Sequence, residues 1–354
     1  MNQMTTHERF LRMYRHEEAD RVPFLDYAWP ETVQRWRSEG LPTDDYLGYF
    51  NLDKTAVIAP DNSLRLPVSV LEENDEYITY TTVWGATQRS FKKKTTTPEY
   101  LDFKINSPDA WRQVRDRMAP SPDRIDWDSL KRDYPIWKRE GRWITGELYL
   151  GFDVTHSHIV GTETLLIALL EEPEWVNDLF MLETQTSLTM LDMLWDAGYT
   201  FDEVHWYDDM GYKNTQFFSL ATYRELLKPY HQMAIDWAHR HGCVARLHSC
   251  GNIMPFVPEL VSMGLDALNP LEVKVGMQPA ILKEQFGRQL VFHGGFNAME
   301  MSKRSEIIPT IEHLLPIMKE DGGYIFASDH SIPPSVSFED MSAIIAAYRK
   351  YGAY

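Results

Sequence analysis

Val244-Ala245-Arg246-Leu247-His248-Ser249-Cys250-Gly251-Asn252 reads as a buried strand over 244–247 that runs out into a His-x-Cys pair. In an extended chain, side chains at i and i+2 share a face. His248 and Cys250 therefore aim at one point where the strand ends. Imidazole with thiolate is a zinc-type ligand pair. A pair this short also arises by chance, so its meaning depends on what the rest of the chain brings to the same point.

Seven other stretches read as strands: 21–27, 54–60, 142–149, 201–207, 265–271, 289–293 and 323–328. Helical periodicity fills the gaps, with long helices after Pro173 and across 219–240, 304–320 and 338–351. Thr5 and Glu8 have capping-box spacing at the start of a first helix. Eight strands alternating with helices predict a (β/α)8 TIM barrel. The whole of 1–354 is expected to form one domain. The interval 62–140 departs from this rhythm. Residues 76–84 and 86–91 alternate faces around Gly85 and predict an N-terminal antiparallel β-hairpin excursion covering one end of the barrel. The run Lys92-Lys93-Lys94 reads as a solvated edge. No Gly-x-Gly-x-x-Gly follows the first strand, which excludes the usual dinucleotide fingerprint.

A chain of 354 residues, 44% hydrophobic, can bury a large core. Its net charge of −17 argues against nucleic acid or an anionic membrane as partner. Two cysteines imply no disulfide framework, and the N-terminus shows no apolar targeting segment. A cytoplasmic protein is the expectation. The chain is rich in Trp, Tyr and Phe, which serve packing first and pocket walls second.

In a barrel, the C-terminal strand ends carry the chemistry. The fifth strand offers His248 and Cys250, the sixth Glu272, and the eighth Asp329 and His330. Two His, a Cys and a carboxylate make a tetrahedral zinc set in which substrate can displace one ligand. Alternatives stay open. Glu272 can be a solvated loop residue, Asp329 can orient a ligand His, and His330 can hold a substrate carboxylate. His293 and Asp208 are further strand-end residues, substrate-facing or structural. Cys243 sits before the fifth strand, at the far end, where an inert role is expected.

These residues resemble those of the uroporphyrinogen decarboxylase-like superfamily, and most of all its zinc-dependent corrinoid methyltransferases, related to cobalamin-independent methionine synthase. His248-Ser249-Cys250-Gly251 resembles the His-x-Cys zinc motif of that branch. Glu272 falls where methionine synthase has a zinc-binding glutamate. Ser328-Asp329-His330 through Glu339 resembles the closing motif, where the methyltransferases carry a Cys and this chain has His330. The decarboxylase's arginine-rich motif is replaced here by Asp26-Tyr27-Ala28-Trp29-Pro30. Decarboxylation of uroporphyrinogen III itself is therefore not expected.

The resemblance implies a methyltransferase moving a methyl group between a small donor or acceptor (methyl ether, thiol or folate) and a corrinoid protein. It implies zinc on His248, Cys250, Glu272 and His330, and cobalamin carried by a partner protein. Tetrahydrofolate is an alternative acceptor. Asp208, Asp209 or Tyr207 would move the accompanying proton, and Asp329, His293 and Trp29 would bind substrate. Trp29, Trp84 and Phe152 would form an apolar wall. Relatives are monomers or homodimers. The alternative is a decarboxylase or other lyase acting on a small carboxylated substrate.

Overall fold

The computed structural model describes residues 3–93 and 96–354. Of the expected solvated edge at Lys92–Lys94, Lys92 and Lys93 are exposed and Lys94 lies outside the described residues. Eleven strands form: β1 (Thr55–Ile58), β2 (Val70–Glu73), β3 (Tyr77–Thr81), β4 (Ala86–Phe91), β5 (Glu99–Phe103), β6 (Trp143–Leu148), β7 (Glu203–Tyr207), β8 (Val244–His248), β9 (Ala267–Asn269), β10 (Val291–His293) and β11 (Tyr324–Ile325). Seven make one parallel sheet in the order β1-β6-β7-β8-β9-β10-β11. Helices such as Pro173–Asp196, Lys228–Arg240, Arg304–Lys319 and Phe338–Tyr351 intervene. Every residue of β6 is buried, as expected for a parallel strand covered on both faces.

The register brings like positions side by side. Thr145 pairs with Glu203, and Glu147 with His205. His205 pairs with Arg246, Tyr207 with His248, and His248 with Asn269. Polar residues thus recur at every second position of β6, β7 and β8.

The segment expected as the first strand, 21–27, makes isolated bridges instead of a ladder. Arg21 pairs antiparallel with Ala353, while Phe24 bridges Phe326 and Ala28, just beyond the segment, bridges Ile332 in parallel. On that side the Phe326 N–H donates to the Pro23 carbonyl (2.8 Å), and the Leu25 N–H to the Phe326 carbonyl (3.0 Å). On the other side the Phe24 N–H donates to the Asp53 carboxylate (2.8 Å), so a side chain takes the place of a β1 carbonyl. Pro23, without an N–H, adds a second gap.

The antiparallel region is larger than a single hairpin. β2, β3, β4 and β5 form a separate four-stranded sheet. β3 and β4 pair from Tyr77–Phe91 to Thr81–Thr87 around the turn at Gly85. All of β2 is exposed at one edge.

At the N-terminal ends of the parallel strands lies helix Thr6–Tyr14, opened by the Thr5/Glu8 capping box. Its Tyr14 ring stacks on Trp143 at 5.4 Å, with Phe10 on the same indole at 5.5 Å. Among the described residues, no helix is long and apolar enough to cross a membrane.

Candidate metal centre and substrate cavity

A cavity of about 350 Å³ opens at the C-terminal ends of the parallel strands, lined from β1, β6, β7, β8, β9 and β10 and from the segments 25–29 and 327–331. His248, Cys250 and Asp209 stand on its wall with their ligand-capable atoms all within 4.8 Å of one another. Cys250 Sγ is 3.4 Å from His248 Nε2, and Asp209 Oδ1 is 3.8 Å from the same nitrogen. Zn–N bonds of about 2.0–2.1 Å and a Zn–S bond of about 2.3 Å, at tetrahedral angles, set nitrogen and sulfur roughly 3.5 Å apart. The three residues fit zinc in identity and spacing.

The imidazole is oriented for this use. Asn269 Nδ2 donates to the His293 carbonyl (3.2 Å), which leaves Asn269 Oδ1 as an acceptor for His248 Nδ1–H (2.7 Å). His248 Nε2 then carries the lone pair. Burial, with His205 and Arg246 nearby, pushes His248 down to about 3, so it stays neutral. Burial raises the Cys250 thiol well above its usual range, and the Asp209 and Glu272 carboxylates add to the effect. Burial and Asp153 lift Asp209 to about 7. A divalent cation reverses both trends, because it favours thiolate and carboxylate together.

The main chain sets the spacing of Asp209 and Cys250. The Cys250 N–H donates to Asp209 Oδ1 (2.7 Å), the Gly211 N–H to the Cys250 carbonyl (3.2 Å), and the Asn252 N–H to the Tyr212 carbonyl (3.1 Å). The loops after β7 and β8 meet at Gly211 and Gly251. A Cβ on Gly251 would lie 2.2 Å from the Gly211 carbonyl carbon. No side chain fits there, and Gly251 also has φ +81°.

The other expected ligands, Glu272 and His330, bring no atom into this trio. Glu272 Oε2 accepts the Gly251 N–H (2.6 Å), and its Oε1 is paired with Lys274 (3.1 Å). His330 lines the cavity and stacks with Trp29 at 6.4 Å, while its Nδ1 accepts the Ser331 N–H (2.9 Å).

Of the expected proton carriers, Tyr207 and Asp209 line the cavity and Asp208 does not. Asp208 is fully buried behind it, bonded to His231 Nε2 (2.7 Å) and to the Asp153 N–H (2.8 Å). Burial and Glu147 raise Tyr207 to about 12. The expected substrate contacts Asp329, His293 and Trp29 all line the cavity. Of the expected apolar wall, Phe152 is fully buried against Phe217 and Phe218, and Trp84 sits beside Tyr149 and His158. Cys243 is buried, its thiol donating to the Phe201 carbonyl (3.2 Å) and pushed up to about 12 by burial.

Sequence reasoning missed Glu147, His205, Arg246 and Asp26, all of which line the cavity. His205 Nδ1 lies 3.2 Å from Glu147 Oε2, and burial raises Glu147 to about 7. Asp26 accepts the Ser328 N–H (2.7 Å), the Ser328 hydroxyl (3.0 Å) and the Tyr27 N–H (2.9 Å). Arg246 donates Nε (2.8 Å) and Nη2 (2.7 Å) to Glu203 Oε1 below the cavity. For Glu147, His205 and Arg246 the signal was the alternation Thr145/Glu147, Glu203/His205/Tyr207 and Arg246/His248/Cys250.

No curated protein matches the chain. Among solved structures, a methyltransferase from Methanosarcina mazei is similar at a TM-score of 0.66 with 16% identity, covering 99% of both chains. That likeness is one of fold. A putative vitamin-B12 independent methionine synthase from Listeria monocytogenes gives a TM-score of 0.38 at 12% identity, over 63% of this chain and 69% of that one. Xylanase B from Clostridium stercorarium gives 0.36 at 12% identity, over 61% and 76%. Scores this low support no argument. The family model described as uroporphyrinogen decarboxylase (URO-D) matches residues 154–351. With more than half of its residues matched, including the loops that carry Asp209, His248, Cys250 and His330, this chain belongs to the uroporphyrinogen decarboxylase family.

Proposed function

We propose that this chain is a zinc-dependent methyltransferase. It would move a methyl group between a small methylated substrate or acceptor (a methyl ether, a thiol or a folate) and a corrinoid on a partner protein. The observation that carries this reading is the Asp209–His248–Cys250 trio on the wall of a cavity at the strand ends. The fold shared with the Methanosarcina methyltransferase agrees with it. We also propose that the seven-stranded sheet and the segment 21–27 act as one barrel, with 62–140 as its cover.

In this reading Asp209, His248 and Cys250 hold the metal, and a fourth position is left to substrate. Zinc bound there supplies a Lewis acid for an ether oxygen, or holds an acceptor thiol as thiolate. Asn269 keeps His248 in the tautomer whose Nε2 faces the metal. Tyr207, beside the His248 ring at 4.6 Å, keeps its hydroxyl proton at neutral pH and can donate it to a leaving oxygen. The Glu147–His205 pair, deeper in the cavity, can take up or release a proton near pH 7. Trp29 and His330, stacked at 6.4 Å, form one side of the cavity.

The family match favours a second reading, a decarboxylase or other lyase of a small carboxylated substrate. Elemental analysis of purified wild type, Cys250→Ala and His330→Ala separates the two. We expect about one zinc per chain in the wild type, none in Cys250→Ala, and retention in His330→Ala. Consumption of methylcobalamin with added thiols, or of methyl ethers with reduced cobalamin, should follow the zinc content. A folded, zinc-supplemented wild type without metal would end the methyltransferase reading and bring the lyase forward.

A further inference from the structure

The helix Thr162–Glu171 carries more apolar surface than the rest of the chain covers. Leu165, Ala168 and Leu169 are buried and hold it to the core. On its other side Leu170 is 78% exposed, the highest value for a large apolar side chain among the described residues, and Ile167 is 49% exposed. A helix that is apolar all round is ordinarily covered all round.

The exposed residues form one face. Glu163, Leu166, Ile167, Leu170 and Glu171 stand at i, i+3, i+4, i+7 and i+8, the spacing of a single helical stripe. With Thr162 they line a shallow depression of about 500 Å³. None of them lines the cavity at the strand ends, so this face is separate from the candidate metal centre.

Charge and size identify what would cover it. Glu163, Glu171, Glu172 and Glu174 are exposed around the apolar stripe, and none of the four has an ion-pair partner among the described residues. No Lys or Arg occurs between Arg142 and Lys213. Elsewhere on the surface, Glu259 is paired with Arg224 and Lys228, and Glu339 and Asp340 with Arg304. The rim of this helix is thus an unmatched block of negative charge. A second copy of the chain, bringing the same four carboxylates and a net charge of −17, would be repelled, and so would an anionic membrane. A partner bearing Lys or Arg would be matched. The helix has 10 residues. It is therefore about 15 Å long and about 10 Å across, an outline of roughly 150 Å². A stable dimer takes about 800 Å² from each partner. The outline suits one helix laid alongside, ridge into groove.

We propose that the exposed face of Thr162–Glu171 docks a basic amphipathic helix of another protein. The apolar side chains of that helix would pack against Leu166, Ile167 and Leu170, and its Lys or Arg side chains would meet Glu163, Glu171, Glu172 and Glu174.

The test is fluorescence anisotropy of the full chain with three labelled peptides of about 18 residues, long enough to be helical. One has Leu and Lys in amphipathic helical order, one has the same residues scrambled, and one has Glu in place of Lys. The ordered Leu/Lys peptide should bind about tenfold or more tighter than the other two. Leu170→Gln should weaken it about tenfold, the effect of one leucine left unburied, with melting temperature unchanged. Glu171→Gln with Glu172→Gln should weaken it severalfold and flatten its salt dependence. Leu71→Gln, at an equally exposed apolar residue on β2, should change nothing. The wild-type panel decides even if a variant fails to fold. Equal binding of ordered and scrambled peptides overturns the proposal, as does no binding of the ordered peptide at millimolar concentration. An unchanged affinity in folded Leu170→Gln, or an equal loss in Leu71→Gln, also overturns it. Sedimentation of the chain alone and with phosphatidylcholine vesicles completes the test. A dimer or a vesicle complex that Leu170→Gln abolishes would give the face a different occupant and overturn the proposal.

Discussion

Two polar clusters share the interior of the parallel sheet, one around Glu203 of β7 and the other at His205 of β7, His293 of β10 and Asp329 after β11, and they are finished to different degrees. At the lower end, Glu203 Oε2 accepts the Tyr14 hydroxyl (2.7 Å) and the Trp143 indole N–H (3.1 Å). Its Oε1 accepts Arg246 and the Thr145 hydroxyl (3.2 Å). Burial alone would raise Glu203, but Arg246 and these donors hold it below the usual carboxylate range. At the upper end, His205, His293 and Asp329 each keep one buried atom without a partner among the described residues. A fully satisfied buried network serves stability, and an unfinished one withholds part of that gain.

If that contrast is right, Glu203→Ala should produce the largest stability loss. It strands the Arg246 guanidinium in the interior and should cost about 3–5 kcal/mol in urea denaturation. Asp329→Asn should cost less than about 1 kcal/mol. Equal losses would erase the distinction between the two ends. Asn269→Ala probes the border between them. By freeing the His248 ring it should weaken zinc about 10–100-fold in chelator competition, and an unchanged affinity would remove Asn269 from the site.

A smaller effect concerns Asp26, which burial raises from 3.8 to about 7. Its folded value lies above its unfolded one, so its stabilising contribution is full below about pH 4 and is lost as pH rises through about 7. Three donors from Tyr27 and Ser328 oppose this rise without cancelling it. Wild type should therefore lose stability relative to Asp26→Asn between about pH 4 and pH 7, and parallel curves would contradict this. The least effect is expected for Glu272→Gln. A Gln oxygen can still accept the Gly251 N–H, so zinc content should not change. Loss of zinc would make Glu272 the carboxylate ligand in place of Asp209.

The alternation of strands and helices was readable because parallel strands between helices are apolar and well spaced. The i, i+2 geometry also singled out His248 and Cys250. Asp209 was visible as a strand-end residue, but its closeness to Cys250 comes from a loop-to-loop contact that no local pattern records. Glu147, His205 and Arg246 were passed over because they sit inside strands, where attention to strand ends does not reach. Their alternation was the available clue. The segment 21–27 reads as a strand, yet the Asp53 carboxylate occupies the place of a neighbouring strand's carbonyl. That substitution joins residues 29 positions apart and leaves no trace in the hydrophobic pattern.

The contact between Gly211 and Gly251 gives the centre a fixed gauge. The span between positions 209 and 250 is held by the touching backbones of the two loops, to which Asp209 Oδ1 adds its bond from the Cys250 N–H. Exchanging Asp209 for a softer donor would change which ion is preferred, while the opening offered to that ion stayed the same. Widening the opening would require a residue other than glycine at 211 or 251, and the touching backbones leave no room for one. If the proposed centre holds a metal, its preference can drift by ligand identity alone.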